Sequence, residues 1–248
     1  MDFSLSAWLV SAVAILLTGV AKGGFGGVFG GIAVPLMSLV MPPEAAAALT
    51  LPLLCLMDLS SVRLYWRRWD ARELKLLLSG ALLGIALGAL AFGLLPAWSI
   101  KLAIGGLALL FALQRLWLRF FPATPRQLGP QVGRIAGLLG GLTSTLAHAG
   151  GPPVLVYLFS RPMPKERFVA TLAVFFTVVN LVKLLPYLAL HLFTASLLWQ
   201  CLLLAPLVPL GVWLGVRLQR RLPEQAFFST AIVLLALSGV QLVYSALA

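Results

Sequence analysis

The sequence predicts an all-α polytopic membrane protein. It predicts two inverted repeats, each a broken, re-entrant helical hairpin followed by three transmembrane helices. Three observations carry this. The chain of 248 residues is 61% hydrophobic and only 10% charged, a balance far from that of a soluble domain. Eight apolar segments fall at about 7–40, 43–64, 76–95, 98–118, 132–160, 168–190, 195–216 and 224–247, several of them long enough to cross a bilayer core of roughly 30 Å. The basic residues gather in the connections between segments. The apolar runs are continuous and do not alternate, which argues against a membrane barrel.

The first and fifth segments are unusual. The first is cut by Thr18-Gly-Val-Ala-Lys-Gly-Gly-Phe-Gly-Gly-Val-Phe-Gly-Gly31, which holds seven glycines and one lysine. Glycines at membrane depth weaken a helix and let other groups approach the backbone. The fifth is cut at Gly150-Gly-Pro-Pro153. Each arm of these broken segments is expected to hold roughly 9–15 residues, too short to span alone.

Charge sets the topology. Arg63, Arg67, Arg68, Arg72 and Lys75 form one basic cluster, and Arg115, Arg119, Arg126 and Arg134 a second. Arg161, Lys165 and Arg167 form a third, and Arg217, Arg220 and Arg221 a fourth. If all eight segments spanned once, two clusters would lie on each side. If the first and fifth segments return to their starting side, all four fall in the cytoplasm, as the positive-inside rule expects. Both termini then lie outside. An odd number of spans per half makes the halves, 1–125 and 126–248, inverted in topology, a plan common among transporters.

Internal similarity points the same way. At one constant spacing Gly19, Gly23 and Pro35 pair with Gly137, Gly141 and Pro153. At a second, Glu44, Asp58 and Tyr65 pair with Glu166, Asn180 and Tyr187. At a third, Gly84, Gly88 and Pro96 pair with Gly211, Gly215 and Pro223. Gly80, Gly84 and Gly88, echoed by Gly211 and Gly215, read as small-residue ridges for close helix packing. Trp66 and Trp69 among the arginines read as headgroup anchors.

A helix broken inside a membrane leaves N–H groups without internal partners and a partial positive charge, a ready place for an anion. The second arm of the first hairpin is expected to start near Gly26 or Gly27, just past Lys22. That of the second is expected near Pro152, since proline suits a first helical position. Inverted hairpins bring both tips toward the midplane. The candidate anion site is therefore Lys22, Gly23, Gly24, Phe25, Gly26, Gly27, Thr143, Ser144, His148, Gly150, Gly151, Pro152, Asn180 and Lys183, with the Thr145 hydroxyl nearby. Such a pocket suits a compact oxyanion and repels metal cations. Other readings stay open. Lys22 can instead snorkel to an interface, His148 can be a structural hydrogen-bonding residue, and Lys183 can reach the outer interface. Asp58 is the candidate for proton coupling, because an intramembrane carboxylate is costly. It can equally pair with Lys22, Lys183 or Arg63. Glu44 and Glu166 open helices, where an acid favours the helix dipole.

The net charge of +11 is explained by cytoplasmic loops rather than by nucleic acid. Cys55 and Cys201 sit in apolar runs and form no disulfide or metal framework. The N-terminus has no charged leader region and no cleavage site. No nucleophile elbow, metal-ligand spacing or phosphate loop is present, so no enzyme, cofactor or metal is expected.

Gly19-Val-Ala-Lys-Gly-Gly-Phe-Gly-Gly27, then Pro35, Pro42-Pro43, Pro52 and Asp58, resembles the first half of the TauE/SafE membrane proteins, also called toluene sulfonate uptake permeases. Gly150-Gly-Pro-Pro153, Phe168, Ala170-Thr171, Asn180 and Lys183 resemble the second half. The resemblance covers nearly the whole chain. It implies a secondary carrier of sulfur-containing anions such as sulfite or organosulfonates, in the inner (plasma) membrane. The family is described with about eight membrane segments from a four-segment duplication. The partners expected are a small anion and the lipid bilayer, and a homodimer is left open. An anion channel on the same site and a membrane assembly protein without transport are the alternatives.

Overall fold

Helices begin and end where the sequence supplies local chemistry for it. The computed structural model describes residues 4–25, 30–64, 66–120, 127–219 and 224–247. Among these, all regular structure is helical. The long helices are α1 (Leu5–Phe25), α3 (Pro43–Leu64), α4 (Ala71–Leu94), α5 (Ala97–Phe120), α6 (Pro130–Ala147), α8 (Lys165–Ala189) and α11 (Glu224–Leu247). The shorter ones are α2 (Ala33–Met37), preceded by a 3-10 turn at Gly30–Ile32, then α7 (Gly151–Phe159), α9 (Ala195–Leu204) and α10 (Leu207–Gln219). Asp70 caps α4 by accepting from the amides of Arg72 at 3.0 Å and Glu73 at 3.1 Å. Thr194 caps α9 by accepting from the Leu197 amide at 3.2 Å. Both follow the preference for short acceptor side chains at helix starts.

Five stretches are long and apolar enough to cross a membrane: Leu5–Gly23, Ala71–Leu94, Ala97–Gln114, Glu166–Ala189 and Ala195–Leu218. Two lengths differ from the sequence expectation. α1 has 21 residues and α6 has 18, so the first arm of each broken segment exceeds the 9–15 expected, whereas α7 has 9. Gly19 and Gly23 of α1 are covered by α10, so they do not end the helix. The seventh apolar segment is not one helix either. It is interrupted between Leu204 and Leu207, at Ala205-Pro206, where proline lacks the amide that would continue the ladder.

Glycine edges set the packing. α4 lies along α6, and α1 along α10. A methyl group on Gly80 or Gly84 would overlap the backbone of Arg134 or Leu138. One on Gly137 or Gly141 would overlap that of Leu77 or Ala81. Gly19 lies against Gly211 in the same way, and Gly23 against Val212. Without a hydrophobic force between helices in lipid, such backbone approach is what holds them together. Elsewhere α3 and α8 pack together, and α5 packs on α11.

One buried apolar cluster joins α1, α2, α3 and α9 through Ile15, Met37, Leu53 and Leu197. A second joins α4, α7 and α8 through Leu77, Val154 and Phe175. At one end of the second cluster, Glu73 accepts from the Tyr157 hydroxyl at 2.6 Å and from Arg161 at 2.9 Å. Arg161 also donates to the Leu128 carbonyl at 3.2 Å. Nearby, the Asp70 amide donates to Thr171 Oγ1 at 2.9 Å. These contacts tie the 66–73 connection to the second half. The Arg68–Glu166 pair is exposed and contributes little.

Candidate functional site

Two turns meet. Gly31, in the 3-10 turn before α2, lies against Ala149, just before α7. A Cβ on Gly31 would stand 2.7 Å from the Ala149 Cβ. Beside this contact is a cavity of about 40 Å³, roughly three times the room that one water needs. Its polar wall is Lys22, Ser144, His148 and Asn180, with Gly151 and Pro152 at the start of α7. Its apolar wall includes Pro35, Leu54, Ile104, Phe111 and Phe176. The lining thus comes from α1, α2, α6 and α7 and from α3, α5 and α8.

Each polar side chain is fixed by a named partner. Lys22, near the end of α1, forms a buried ion pair with Asp58 of α3. Asn180 of α8 donates to the other Asp58 oxygen at 2.6 Å. Asp58 therefore has both oxygens engaged, and it is 2% exposed. Lys183, one turn after Asn180, is fully buried. Its Nζ lies 2.9 Å from the Ser144 hydroxyl, 3.0 Å from the Ser144 carbonyl and 2.7 Å from His148 Nδ1.

His148 reaches that position through its backbone. It ends α6 with φ at 51°, a left-handed value that non-glycine residues seldom hold. The turn is closed by the His148 amide on the Ser144 carbonyl at 3.0 Å and the Ala149 amide on the Thr143 carbonyl at 3.2 Å, a helix-ending pattern. His148 Nε2 lies 2.9 Å from the Ala47 carbonyl. A carbonyl only accepts, so Nε2 carries the hydrogen and donates, and Nδ1 of the neutral ring is left to accept from Lys183. Nearby, Tyr187 donates its hydroxyl to the Thr145 carbonyl at 2.5 Å.

The sequence candidates separate into groups. Lys22, Ser144, His148, Gly151, Pro152 and Asn180 line the cavity. Lys183 stands behind Ser144 and His148. Thr143 donates to the Leu139 carbonyl at 2.7 Å and to the Ala149 carbonyl at 3.1 Å. The Thr145 hydroxyl bonds the Gly141 carbonyl of its own helix at 2.8 Å. Gly150 packs against Gly140 and Ser144, and Gly23 against α10. Gly24 and Phe25 close α1. Gly26 and Gly27 lie outside the described residues, and with them the expected start of the second arm.

Pro152 and Pro153 bring no amide hydrogen, so the α7 start presents N–H groups only from Gly150 and Gly151. Sequence reasoning missed the Lys183–His148 contact. Its signal was faint: two titratable residues in apolar stretches, 35 positions apart. Among the described residues no group of His, Cys, Asp and Glu is placed to hold a metal ion. Cys201 is buried, with its thiol 3.3 Å from the Leu49 carbonyl, and Cys55 is half-buried.

The cavity thus sets one lysine, three further polar side chains and the start of α7 among apolar helices long enough to cross a membrane. Residues 11–242 match the family model described as sulfite exporter TauE/SafE. The chain belongs to the TauE/SafE sulfite exporter family. That match covers Lys22, Ser144, His148, Asn180 and Lys183. TauE/SafE membership makes the chain a multi-pass membrane transporter of a small anion. No curated protein matches the chain. No solved structure matches it.

Proposed function

We propose that this TauE/SafE protein is a secondary transporter of a small sulfur-containing anion, sulfite or an organosulfonate, working by alternating access around the Gly31–Ala149 cavity. One observation carries the reading. Lys22, Ser144, His148 and Asn180, from three separate elements, line one small cavity whose other walls are apolar. An ammonium in a low-dielectric pocket needs a negative partner, and the cavity offers room for a compact oxyanion. The packing of α4 along α6 and of α1 along α10 supports two inverted halves, 1–125 and 126–248, that rock about α3 and α8. The basic connections then face the cytoplasm, in the inner membrane, with both termini outside.

Asp58 supplies the coupling. In this state its carboxylate occupies Lys22. An anion must compete with that carboxylate for the same ammonium. Protonation of Asp58 removes the competitor, so proton and anion are carried together. Asn180 keeps the neutral acid in place through its bond to the second oxygen.

The test is saturable binding of sulfite, sulfate, taurine and sulfoacetate to the purified protein, with Lys22→Ala as control. Binding of at least one anion that Lys22→Ala abolishes is expected. No saturable binding of any of them would falsify the reading.

A further inference from the structure

We infer that the edge of the protein built by the 66–75 and 161–167 stretches is a binding surface for the headgroups of anionic phospholipids. It lies on the outside of the molecule and does not depend on the anion in the cavity.

The fold brings several helix ends to this edge. Gly80, Gly84 and Gly88 of α4 meet Arg134, Leu138 and Thr145 of α6 in turn, so the two helices run parallel. Lys75 and Arg134 therefore lie within about one turn of each other along the helices. Leu128, just before α6, is held to the end of α7. Its amide donates to the Ser160 hydroxyl at 3.3 Å, and its carbonyl accepts from Arg161 at 3.2 Å. The start of α8 joins them, because Arg68 reaches Glu166 at 3.3 Å and the Asp70 amide reaches Thr171 at 2.9 Å. Two basic runs far apart in the chain thus share one edge.

Most of the positive charge there has no carboxylate to meet. Glu73 is buried and taken by Arg161. Asp70 accepts from the amides of Arg72 and Glu73. Glu166 pairs with Arg68. Arg67, Arg72, Lys75, Arg134 and Arg167 are exposed, and none forms an ion pair with a described carboxylate. Cations of one sign gathered on one surface attract anions to it.

Position decides which anion. α4 and α8 are apolar enough to cross a membrane from Ala71 and Glu166 onward, so these cations stand where hydrocarbon gives way to water. Trp66, 61% exposed, packs edge to face with Trp69 at 5.9 Å in the same connection, and indole rings favour headgroup depth. The connection is held in place by the Asp70 cap on α4 and the Thr171 bond. A basic side chain at that depth meets lipid phosphate, and each contributes roughly fivefold to affinity for an anionic surface.

The experiment titrates the purified full chain, in an uncharged detergent, with phosphatidylglycerol and with phosphatidylcholine of the same acyl chains, and counts retained lipid by native mass spectrometry. Saturable retention of phosphatidylglycerol and little of phosphatidylcholine is expected. The Arg67→Gln/Arg72→Gln/Arg167→Gln variant should hold phosphatidylglycerol about a hundredfold more weakly, with its lipid-free melting temperature as the control for folding. The Lys75→Gln/Arg134→Gln variant gives an independent reading, an expected loss of about twentyfold. Lys101→Gln, at the start of α5 beyond the far end of α4, should bind as wild type. Equal retention of the two lipids, or two multiple variants that both retain phosphatidylglycerol like wild type, overturns the inference. So does an oligonucleotide that binds the same arginines more tightly than phosphatidylglycerol vesicles do, which would give the edge to a soluble partner.

Discussion

Gly31 in the turn before α2 lies directly against Ala149 in the α6–α7 connection, so the cavity is closed by two turns far apart in the chain. A side chain at position 31 has to displace Ala149. Gly31→Val is expected to separate the turns and abolish anion flux in proteoliposomes. It should cost about 1–3 kcal/mol of stability, as overpacking does. A variant that keeps wild-type flux would show that the contact is dispensable.

The Lys22–Asp58 pair makes a second prediction. Both side chains are nearly buried, at 9% and 3% exposure. Lys22→Gln strands the carboxylate, and such a loss costs about 3–5 kcal/mol. Adding Asp58→Asn removes the stranded charge and should recover most of that stability without recovering anion binding. Thermal unfolding and binding, measured on the same preparations, check this. A double variant as unstable as Lys22→Gln would contradict the pairing.

Glu73, Tyr157 and Arg161 predict a local cost. Tyr157→Phe removes one donor from a buried carboxylate and should destabilise by about 1–3 kcal/mol. The change lies outside the cavity, so anion affinity measured by calorimetry should stay within a factor of about two of wild type. A variant with unchanged unfolding would mean that Arg161 alone satisfies Glu73.

Topology is directly measurable. Pro42 is exposed in the connection between α2 and α3. Pro42→Cys, in a chain whose Cys55 and Cys201 have been replaced, should react with an impermeant maleimide from outside the cell. Reaction only from the cytoplasmic side would remove the hairpin topology.

Much of this was readable in the sequence, and the misses have physical causes. Gly150-Gly-Pro-Pro153 announced a helix start because proline in the first turn gives up amides that have no partner. α7 does begin at Gly151. The ridge of Gly80 and Gly84 was readable because lipid rewards close backbone approach. Proline was ambiguous elsewhere. Pro52 and Pro186 sit inside continuous α3 and α8, whereas Ala205-Pro206 separates α9 from α10. The residue is the same, and tertiary neighbours decide whether the helix continues. The length of α1 was misread for a related cause: its glycines face α10 and are packed, not exposed. Asp58 and Asn180 were matched by spacing, but only the fold makes them touch. No motif marks Glu73 in the sequence, and its bonds to Tyr157 and Arg161 come from residues far along the chain.

The α1–α10 seam also bears on biosynthesis. Gly19 emerges early, and Gly211, the residue that covers it, is polymerised much later. At the usual pace of translation that interval is roughly 10–40 s. Throughout it the bare edge of the first helix has only lipid, or whatever insertion machinery holds it, as a neighbour. A chain truncated before α10 keeps that edge permanently open, which marks it for quality control even though most of its helices have already been made.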